Sequence, residues 1–306
     1  MIAFVFPGQG SQFSGMGKDL ADNFNCAKQV FEEASDALSF NLTGLCFSGS
    51  EDDLKLTANT QPAILTTSIA ALRVVEQETG LKPTYAAGHS LGEFSALVCA
   101  GALSFADAVK IVRQRGTFMQ DAVPVGVGAM AAIMGVERDA LEVLCREAAQ
   151  GEIVAPANFN SPGQIVIAGH ATAVARAMEL AKAAGAKRAL PLPVSAPFHS
   201  ALMEPAAIKL EQVLASVVIN PFTCPVVGNV EAKAYNNVDQ VRTLLVKQVC
   251  APVRWDESVE EMARLGVDNY IEIGPGKVLS GLIKRIAKGA GTQQVDSVAS
   301  LQNLAG

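Results

Sequence analysis

Residues 88–92 have the spacing of a serine nucleophile held on a sharp turn. They read Gly-His-Ser-Leu-Gly, with Ser90 at the centre, between a short apolar stretch and an uncharged run that is compatible with a helix. This order of strand, tight turn and helix is that of a nucleophile elbow, whose serine hydroxyl attacks a carbonyl carbon. Side chains at the two flanks would collide, so both must be glycine, and the following helix directs free N–H groups at the oxyanion. A chain with 26 glycines can also contain Gly-x-Ser-x-Gly by chance. The other interpretation is therefore a glycine-rich turn in which the serine hydroxyl is simply hydrogen-bonded.

A nucleophilic serine needs a base, and the chain contains three histidines. His89 is adjacent to Ser90, and neighbouring side chains on an elbow point apart. His170 opens a predicted helix, so we expect it at the surface or as a helix cap. His199 lies in a Pro-Phe-His loop and is our candidate for the base, with a structural role as the alternative.

The sequence offers no evident acid to orient this histidine. The aspartates between Ser90 and His199 all occupy expected helix caps or exposed positions: Asp107, Asp121 and Asp139. We therefore predict a serine–histidine dyad that is oriented by something other than the carboxylate of a Ser-His-Asp triad.

Arg115 lies at the edge of an apolar stripe on a predicted helix. The segment from Ser104 to about Gln120 begins with a helix-capping pattern. At about 100° per residue, Arg115 falls between Ile111 and Met119 beside the apolar face. A guanidinium there needs an anionic partner, or else its stem covers the apolar edge while its head reaches solvent. Both interpretations stay open, whereas Arg113, nearer the other flank, is predicted to be a surface charge.

The elements that would position these residues alternate between strands and helices. Strands are predicted at 2–6, 85–88, 223–229 and 269–273, and helices at 27–38, 57–78, 104–120, 203–216, 239–248, 257–265 and 278–287. This alternation predicts an α/β fold with a parallel-sheet, α/β-hydrolase-like core covered by helices. Residues 124–194 read strand-helix-strand-strand-helix-strand, which is the ferredoxin-like arrangement. We therefore predict a ferredoxin-like inserted α+β subdomain at 124–194 between core segments 1–123 and 195–306.

The loop after the first strand, residues 7–12, is rich in glycine but does not match a nucleotide site. Phe13 stands where a dinucleotide fingerprint requires glycine, and no Lys-Ser/Thr pair completes a phosphate loop. Gln9 is nevertheless placed at a strand end, where its backbone N–H can serve a neighbouring site.

Composition narrows the possible partners and the compartment. The 306 residues carry a formal net charge of −6, which argues against nucleic-acid binding but permits a small anionic ligand. The six cysteines are dispersed without a Cys-x-x-Cys pair, so we expect reduced thiols and no metal site. The longest uncharged run, 153–175, contains Asn, Pro and Gly and does not predict a membrane span. With no basic region before the first strand, we expect a cytoplasmic protein with no membrane partner.

Seven motifs along the chain resemble those of the malonyl-CoA:acyl carrier protein transacylases of bacterial fatty-acid synthesis. Through them, the chain also resembles the acyltransferase domains of polyketide and fatty-acid synthases. The motifs occur in the family's order from end to end: 6–12, 88–93, 113–116, 156–158, 196–200, Gln248 with 252–255, and 272–276.

This resemblance implies a reaction and a role for each matching residue. Ser90 would attack the malonyl thioester with His199 as general base, and the malonyl-serine ester would pass to the phosphopantetheine thiol of acyl carrier protein. The backbone N–H groups of Gln9 and Leu91 would form the oxyanion hole. Arg115 would hold the malonyl carboxylate, which supplies the anionic partner that its helix position requires.

The resemblance also implies supporting residues and a substrate preference. A main-chain carbonyl near Gln248 would orient the histidine, and the remaining substrate-binding candidates are Asn158, His89 and Met119. Phe198 would fill the space that an α-methyl group needs, so the family likeness predicts malonyl over methylmalonyl. No bound cofactor is implied, because coenzyme A and phosphopantetheine belong to the substrates.

Two other functions and several partners remain open at this level. A serine esterase or thioesterase would use the same elbow, although Arg115 and the missing acid favour a transferase. A catalytically idle docking subunit is the second rival. Because carrier proteins are acidic, the candidates for a docking surface are basic: Lys187 with Arg188, and Lys284 with Arg285 and Lys288. We expect a monomer.

Overall fold

The structure is a computed structural model that describes residues 1–194 and 196–305. Its strands are β1 Ile2–Phe6, β2 Tyr85–Gly88, β3 Gly128–Met134, β4 Val154–Ser161, β5 Gln164–His170, β6 Arg188–Pro191, β7 Val226–Val227, β8 Ala234–Tyr235, β9 Val253–Arg254, β10 Asn269–Ile273 and β11 Gly291–Val295. Its helices are α1 Lys18–Asn23, α2 Asn25–Leu38, α3 Leu42–Ser48, α4 Glu51–Lys55, α5 Thr57–Thr79, α6 Gly92–Cys99, α7 Phe105–Asp121, α8 Arg138–Ala149, α9 Ala171–Ala183, α10 Glu204–Leu214, α11 Val238–Cys250, α12 Trp255–Arg264, α13 Val278–Ile286 and α14 Val298–Ala305. None of the helices in the described residues combines the length and the hydropathy that a bilayer crossing requires.

A mostly parallel six-stranded sheet, which we call the first sheet, has the strand order β11-β10-β1-β2-β7-β8. The central strand β1 pairs in parallel with β10 and with β2, while β8 runs antiparallel to β7. β1 is apolar throughout because both of its faces are covered: Phe4 and Phe6 join one hydrophobic cluster, and Ala3 and Val5 join another. Since β1 and β2 are parallel neighbours, their carboxyl ends meet at one edge of the sheet. The loop of Gln9 therefore lies beside the turn of Ser90.

A five-stranded second sheet has the order β6-β3-β5-β4-β9. Its strands from 128–191 pair antiparallel, whereas β9 comes from a later part of the chain and adds to β4 in parallel. Alternate residues of β3 face opposite sides: Ala131 and Ile133 pack in a cluster that includes residues of α8 and α9, and Met130 and Ala132 join the main hydrophobic cluster of the protein. The second sheet is thus packed against the rest of the molecule through one face.

The structure is a mixed α/β protein, and the differences from the predicted elements occur mainly where the segments are short or polar. The sequence analysis did not anticipate α3, α4, β8, β9, β11 or α14. The strand β11 reads Gly-Thr-Gln-Gln-Val, which lacks the apolar pattern of a buried strand because it lies at the edge of the sheet. The strand predicted at 223–229 is limited to Val226–Val227.

The prediction that Arg113 is a surface charge was wrong because of a proline in α5. Pro62 lies inside α5, so it leaves the carbonyl of Ala58 without its helical N–H donor. Arg113 of α7 donates from Nη1 to that carbonyl at 2.8 Å and also bonds the side chain of Asn59. Arg113 is therefore not a free surface charge but a half-buried side chain that satisfies a broken helical hydrogen bond.

Candidate active site

Ser90 lies on a turn between β2 and α6 with backbone φ of +53°, in the left-handed region that non-glycine residues avoid. A Cβ on Gly88 would overlap the backbone of Gly92, and a Cβ on Gly92 would overlap the carbonyl of Phe6 in β1. The two flanking glycines thus allow the turn to close on itself and to lie against the first sheet. This is the steric arrangement that the Gly-x-Ser-x-Gly spacing predicts.

The hydroxyl of Ser90 lies 2.8 Å from Nε2 of His199. On the other side of the ring, Nδ1 lies 2.8 Å from the main-chain carbonyl of Gln248. A carbonyl can only accept, so Nδ1 carries the proton of the neutral ring and Nε2 is free to accept one from the serine. His199 is 5% exposed, and burial together with the nearby charge of Arg115 lowers the pKa of His199 to about 3. The imidazole is therefore neutral, as a general base must be.

Arg115 lies deep in the same site, with 1% of its surface exposed. Its Nη1 donates to Gln61 Oε1 at 2.8 Å, and its Nη2 donates to Gln248 Oε1 at 3.0 Å and to the hydroxyl of Ser90 at 3.1 Å. Its buried Nε has no hydrogen-bond partner among the described residues, where it also forms no ion pair within 4.0 Å. Burial lowers the pKa of Arg115 to about 10, which still leaves it a cation at neutral pH.

A cavity of about 110 Å³ opens beside these groups. Of the residues predicted for the site, it is lined by Gln9, His89, Ser90, Leu91, Arg115, Met119, Asn158, Phe198 and His199, and further apolar walls come from Met130, Leu192 and Val194. Gln248 is the one predicted residue that does not line the cavity, because it lies beneath Ser90 and Arg115. The structure therefore brings side chains from both sheets to one cavity.

Among the residues that the structure describes, no acceptor forms a hydrogen bond with the backbone N–H of Gln9 or of Leu91. Gln9 follows β1, and its side chain donates to Thr57 Oγ1 at 3.3 Å. Leu91 is the residue that precedes α6, so its N–H belongs to the unsatisfied set at a helix N-terminus. Both groups are available to a negatively charged oxygen in the cavity.

His89 and Asn158 connect the site to the second sheet. His89 Nε2 lies 2.8 Å from Oδ1 of Asn160 on β4, and burial lowers the pKa of this imidazole. This bond turns His89 away from the hydroxyl of Ser90. Asn158 is 6% exposed at an irregularity in the pairing of β4 with β5, which aims it into the cavity.

Sequence reasoning missed a set of buried polar residues under the site. Asn229 accepts from the backbone N–H of Ser90 at 2.7 Å and donates to the carbonyl of Gly88 at 2.7 Å. Glu93, next to the elbow, accepts from Gln248 Nε2 at 2.6 Å, and burial raises the pKa of its carboxyl. Gln61 bonds Arg115, and its Nε2 lies 3.7 Å from the sulfur of Met119. Only Glu93 belonged to a recognised motif, and no local pattern marks Asn229 or Gln61.

The chain is similar to known proteins in both sequence and structure. Residues 3–303 match the family described as the acyl transferase domain. The malonyl CoA-acyl carrier protein transacylase of Escherichia coli strain K12 is 56% identical over 285 residues, which cover 93% of this chain and 92% of that protein. The crystal structure of an acyl carrier protein S-malonyltransferase from Vibrio cholerae has a TM-score of 0.97 and 52% identity, covering 99% of each chain. A malonyl-transacylase solved in complex with its type II polyketide synthase acyl-carrier protein has a TM-score of 0.96 and 50% identity, covering 99% of this chain and 98% of the other.

Proposed function

Because this chain belongs to the acyl transferase family, we propose that it transfers a malonyl group from malonyl-CoA to the phosphopantetheine thiol of an acyl carrier protein. The transfer proceeds in two half-reactions through a malonyl ester of Ser90. The product supplies fatty-acid synthesis or a related pathway that extends acyl chains on a carrier protein.

In the first half-reaction Ser90 is acylated. Its Oγ bonds to the thioester carbonyl carbon while its proton passes to Nε2 of His199, 2.8 Å away. The resulting oxyanion accepts from the backbone N–H groups of Gln9 and Leu91, each worth about 3 kcal/mol in acyl transfer. The C–S bond then breaks, and the imidazolium returns the proton to the departing sulfur of coenzyme A.

In the second half-reaction the carrier protein removes the acyl group. The phosphopantetheine thiol gives its proton to His199, and its sulfur attacks the ester carbonyl over the same oxyanion hole. The C–O bond to Ser90 breaks, and the proton returns to Oγ. Every step uses side chains and backbone of this protein, so we propose that no bound cofactor takes part.

The buried guanidinium of Arg115 is the observation that carries the choice of a malonyl substrate. A desolvated cation without a carboxylate partner is costly, and an entering carboxylate offsets that cost with charge-assisted hydrogen bonds. An acyl group that ends in a carboxylate therefore binds better than acetyl, which leaves the charge unpaired. Met119 and Asn158 complete the walls of the acyl cavity.

Phe198 supports the choice of malonyl over methylmalonyl. It is 8% exposed and lines the cavity immediately before His199 in the sequence. We propose that its ring occupies the space into which an α-methyl group would extend.

We propose finer assignments for the architecture and the setting of the protein. The first sheet is the α/β-hydrolase-like core of 1–123 and 195–306, and the strands of 124–194, in the order β6-β3-β5-β4, form the ferredoxin-like insert.

The protein acts as a cytoplasmic monomer. The acidic carrier protein docks on exposed basic residues, either Lys187 with Arg188 or Lys284 with Arg285 and Lys288.

Intact-protein mass spectrometry after brief mixing with malonyl-CoA tests the proposed function. We expect a malonyl adduct on the wild type that is absent from Ser90→Ala and disappears when acyl carrier protein is added. Arg115→Ala should lose the adduct with malonyl-CoA but form one with acetyl-CoA. Arg113→Ala is the matched control, because it removes an arginine from the same helix without changing the cavity.

Two outcomes would contradict the proposal. Steady release of free coenzyme A without carrier protein and without an adduct would indicate a hydrolase. Neither adduct nor coenzyme A release would indicate an inactive docking subunit.

A further inference from the structure

Glu93 is a fully buried carboxylate that lies under the reacting groups, with 1% of its surface exposed. Its Oε2 accepts from Gln248 Nε2 at 2.6 Å and from the backbone N–H of Asn229 at 3.1 Å. Its Oε1 accepts from the hydroxyl of Tyr235 at 3.1 Å. The carboxylate therefore holds two amide residues that in turn touch the active site.

The first of these residues, Gln248, is fixed between an acceptor and a donor. Its Nε2 faces the carboxylate of Glu93, which only accepts, and its Oε1 faces the guanidinium of Arg115, which only donates. This arrangement allows one orientation of the amide. From the same residue, the main-chain carbonyl accepts from His199 Nδ1, and Nε2 also donates to the carbonyl of Ser90 at 3.1 Å.

The second residue, Asn229, holds the elbow closed. Its side chain bridges the carbonyl of Gly88 and the N–H of Ser90, both at 2.7 Å, across the turn whose serine has φ of +53°. Its own backbone N–H is anchored on Glu93. A strained turn persists only where its surroundings over-determine it, and this bridge supplies that constraint.

We propose that Glu93 is a positioning residue that fixes the nucleophile and the base together, through Asn229 on one side and Gln248 on the other. In a triad, an aspartate bonds the histidine directly. Glu93 instead acts on His199 through Gln248, whose main-chain carbonyl holds the imidazole. This inference depends on the proposed function only where malonyl-CoA is used as the acyl donor. Any reaction of Ser90 requires the same geometry of Ser90 and His199.

Methanesulfonyl fluoride tests the inference independently of malonyl transfer. Ser90 Oγ bonds to its sulfur, fluoride leaves, and His199 takes the hydroxyl proton, so the rate reports the serine–histidine pair without a carboxylate, coenzyme A or carrier protein. We expect Glu93→Ala to lower the second-order rate constant by about thirtyfold, since it leaves both amides without their acceptor. Acylation by malonyl-CoA should fall by the same factor at saturating donor, which places the effect in the rate of the step and not in binding.

A conservative variant and a matched control separate positioning from loss of stability. Glu93→Gln should recover the rate to within about fivefold of the wild type, because one amide oxygen can accept from both Gln248 and Asn229. Glu272→Ala is the control: Glu272 is also fully buried and accepts from two backbone N–H groups of α13, but it does not contact this amide pair. Its rate should stay within about threefold of the wild type.

The inference is overturned if folded Glu93→Ala reacts within about threefold of the wild type, if Glu272→Ala falls as far as Glu93→Ala, or if Glu93→Gln is no faster than Glu93→Ala. If Glu93→Ala does not fold, Asn229→Ala is measured instead. We expect its second-order rate constant to be about tenfold lower than that of the wild type, and an unchanged rate constant overturns the inference.

If Ser90 of the wild type does not react with methanesulfonyl fluoride, both its role as the nucleophile and this inference are overturned. Sulfonylation without any malonyl adduct would instead contradict the proposed function and leave the role of Glu93 standing.

Discussion

At the scale of single residues, the environment of His199 sets the range of pH in which the site can work. The ring is buried, its Nδ1 faces an uncharged carbonyl, and the guanidinium of Arg115 lies nearby. The carbonyl favours the imidazolium less than the aspartate of a triad does, and burial and Arg115 outweigh it. The base therefore stays unprotonated far below the pH at which an exposed histidine takes up a proton.

We predict that kcat/KM for acylation by malonyl-CoA changes by less than about twofold between pH 8 and pH 5. A general base is lost when pH falls through its pKa, and burial and Arg115 lower that of His199 to about 3 from its ordinary value of 6.5. Initial rates at low donor concentration, measured across this range, check the prediction. An acidic limb with a midpoint near 6.5 would contradict it.

The profile of kcat should differ from that of kcat/KM in a defined direction. In the proposed complex, the malonyl carboxylate offsets the charge of Arg115, which is one of the causes of the lowered pKa of His199. The acidic limb of kcat, which reports the complex, should therefore lie at higher pH than the limb of kcat/KM.

At the scale of elements, the elbow depends on how closely the first turn of α6 approaches β1. A Cβ on Gly92 would overlap the carbonyl of Phe6, and backbone cannot move aside without disturbing the centre of the first sheet. The serine is thus aligned by direct contact between a helix and a strand.

We predict that Gly92→Ala lowers the free energy of unfolding by at least about 3 kcal/mol, because the added methyl group meets immobile backbone. Gly281→Ala is the matched control, since this helical glycine of α13 is exposed and a Cβ there would meet nothing within 4 Å. The control should gain about 0.5–1 kcal/mol from helix propensity. Urea unfolding of both variants measures the difference, and equal effects would contradict the steric account.

A second prediction at this scale concerns the proline inside α5. Arg113→Ala should cost about 1–2 kcal/mol, because the carbonyl of Ala58 then loses the donor that replaces the N–H missing from Pro62. In a Pro62→Ala background, a backbone N–H becomes available to that carbonyl, so the same arginine substitution should cost less. A double-mutant cycle measures the coupling, and additive effects would show that the two residues are independent.

The sequence predicts the elements that have long apolar patterns. It does not predict elements that form only because of a contact with a residue far away in the sequence. β1 and α7 were placed to within a residue or two because a continuous apolar strand and a capped amphipathic helix carry their own signals. β9 has two residues and exists only because β4 lies beside it. The site follows the same rule: Ser90 is marked by its flanking glycines, whereas Asn229 acquires its role from a turn 139 residues away in sequence.

At the scale of the whole molecule, the cavity lies where the two sheets meet, so catalysis depends on how they are docked. The N-terminal turn of α8 holds one part of this contact: Arg138 bonds Asp256 at 3.0 Å and Glu257 at 2.5 Å in the first turn of α12. Arg138 also lies over the ring of Phe159 on β4, 3.8 Å from its centroid. These contacts join the second sheet to α12, whose Trp255 and Val259 pack in the same hydrophobic cluster as Ala3 and Val5 of β1 in the first sheet.

We predict that Arg138→Ala loosens this contact at a cost of about 1 kcal/mol and that the cost decreases at high salt. Arg146→Ala, an exposed arginine on the same helix, is the control and should change stability by less than about 0.5 kcal/mol. Amide hydrogen exchange in β4 and α12 provides the local measurement. Faster exchange that is spread evenly over the protein would contradict a contact that acts between the sheets.

The positive φ of Ser90 has a consequence for the history of such a gene. A left-handed serine costs about 1 kcal/mol that glycine would not incur, which roughly offsets the hydrogen bonds that its hydroxyl makes with His199 and Arg115. In a lineage that no longer needs acyl transfer, we expect replacement of Ser90 by glycine to inactivate the enzyme with little change in stability. This substitution would therefore leave expression level and solubility unchanged, and only the cell's supply of acyl groups would reveal it.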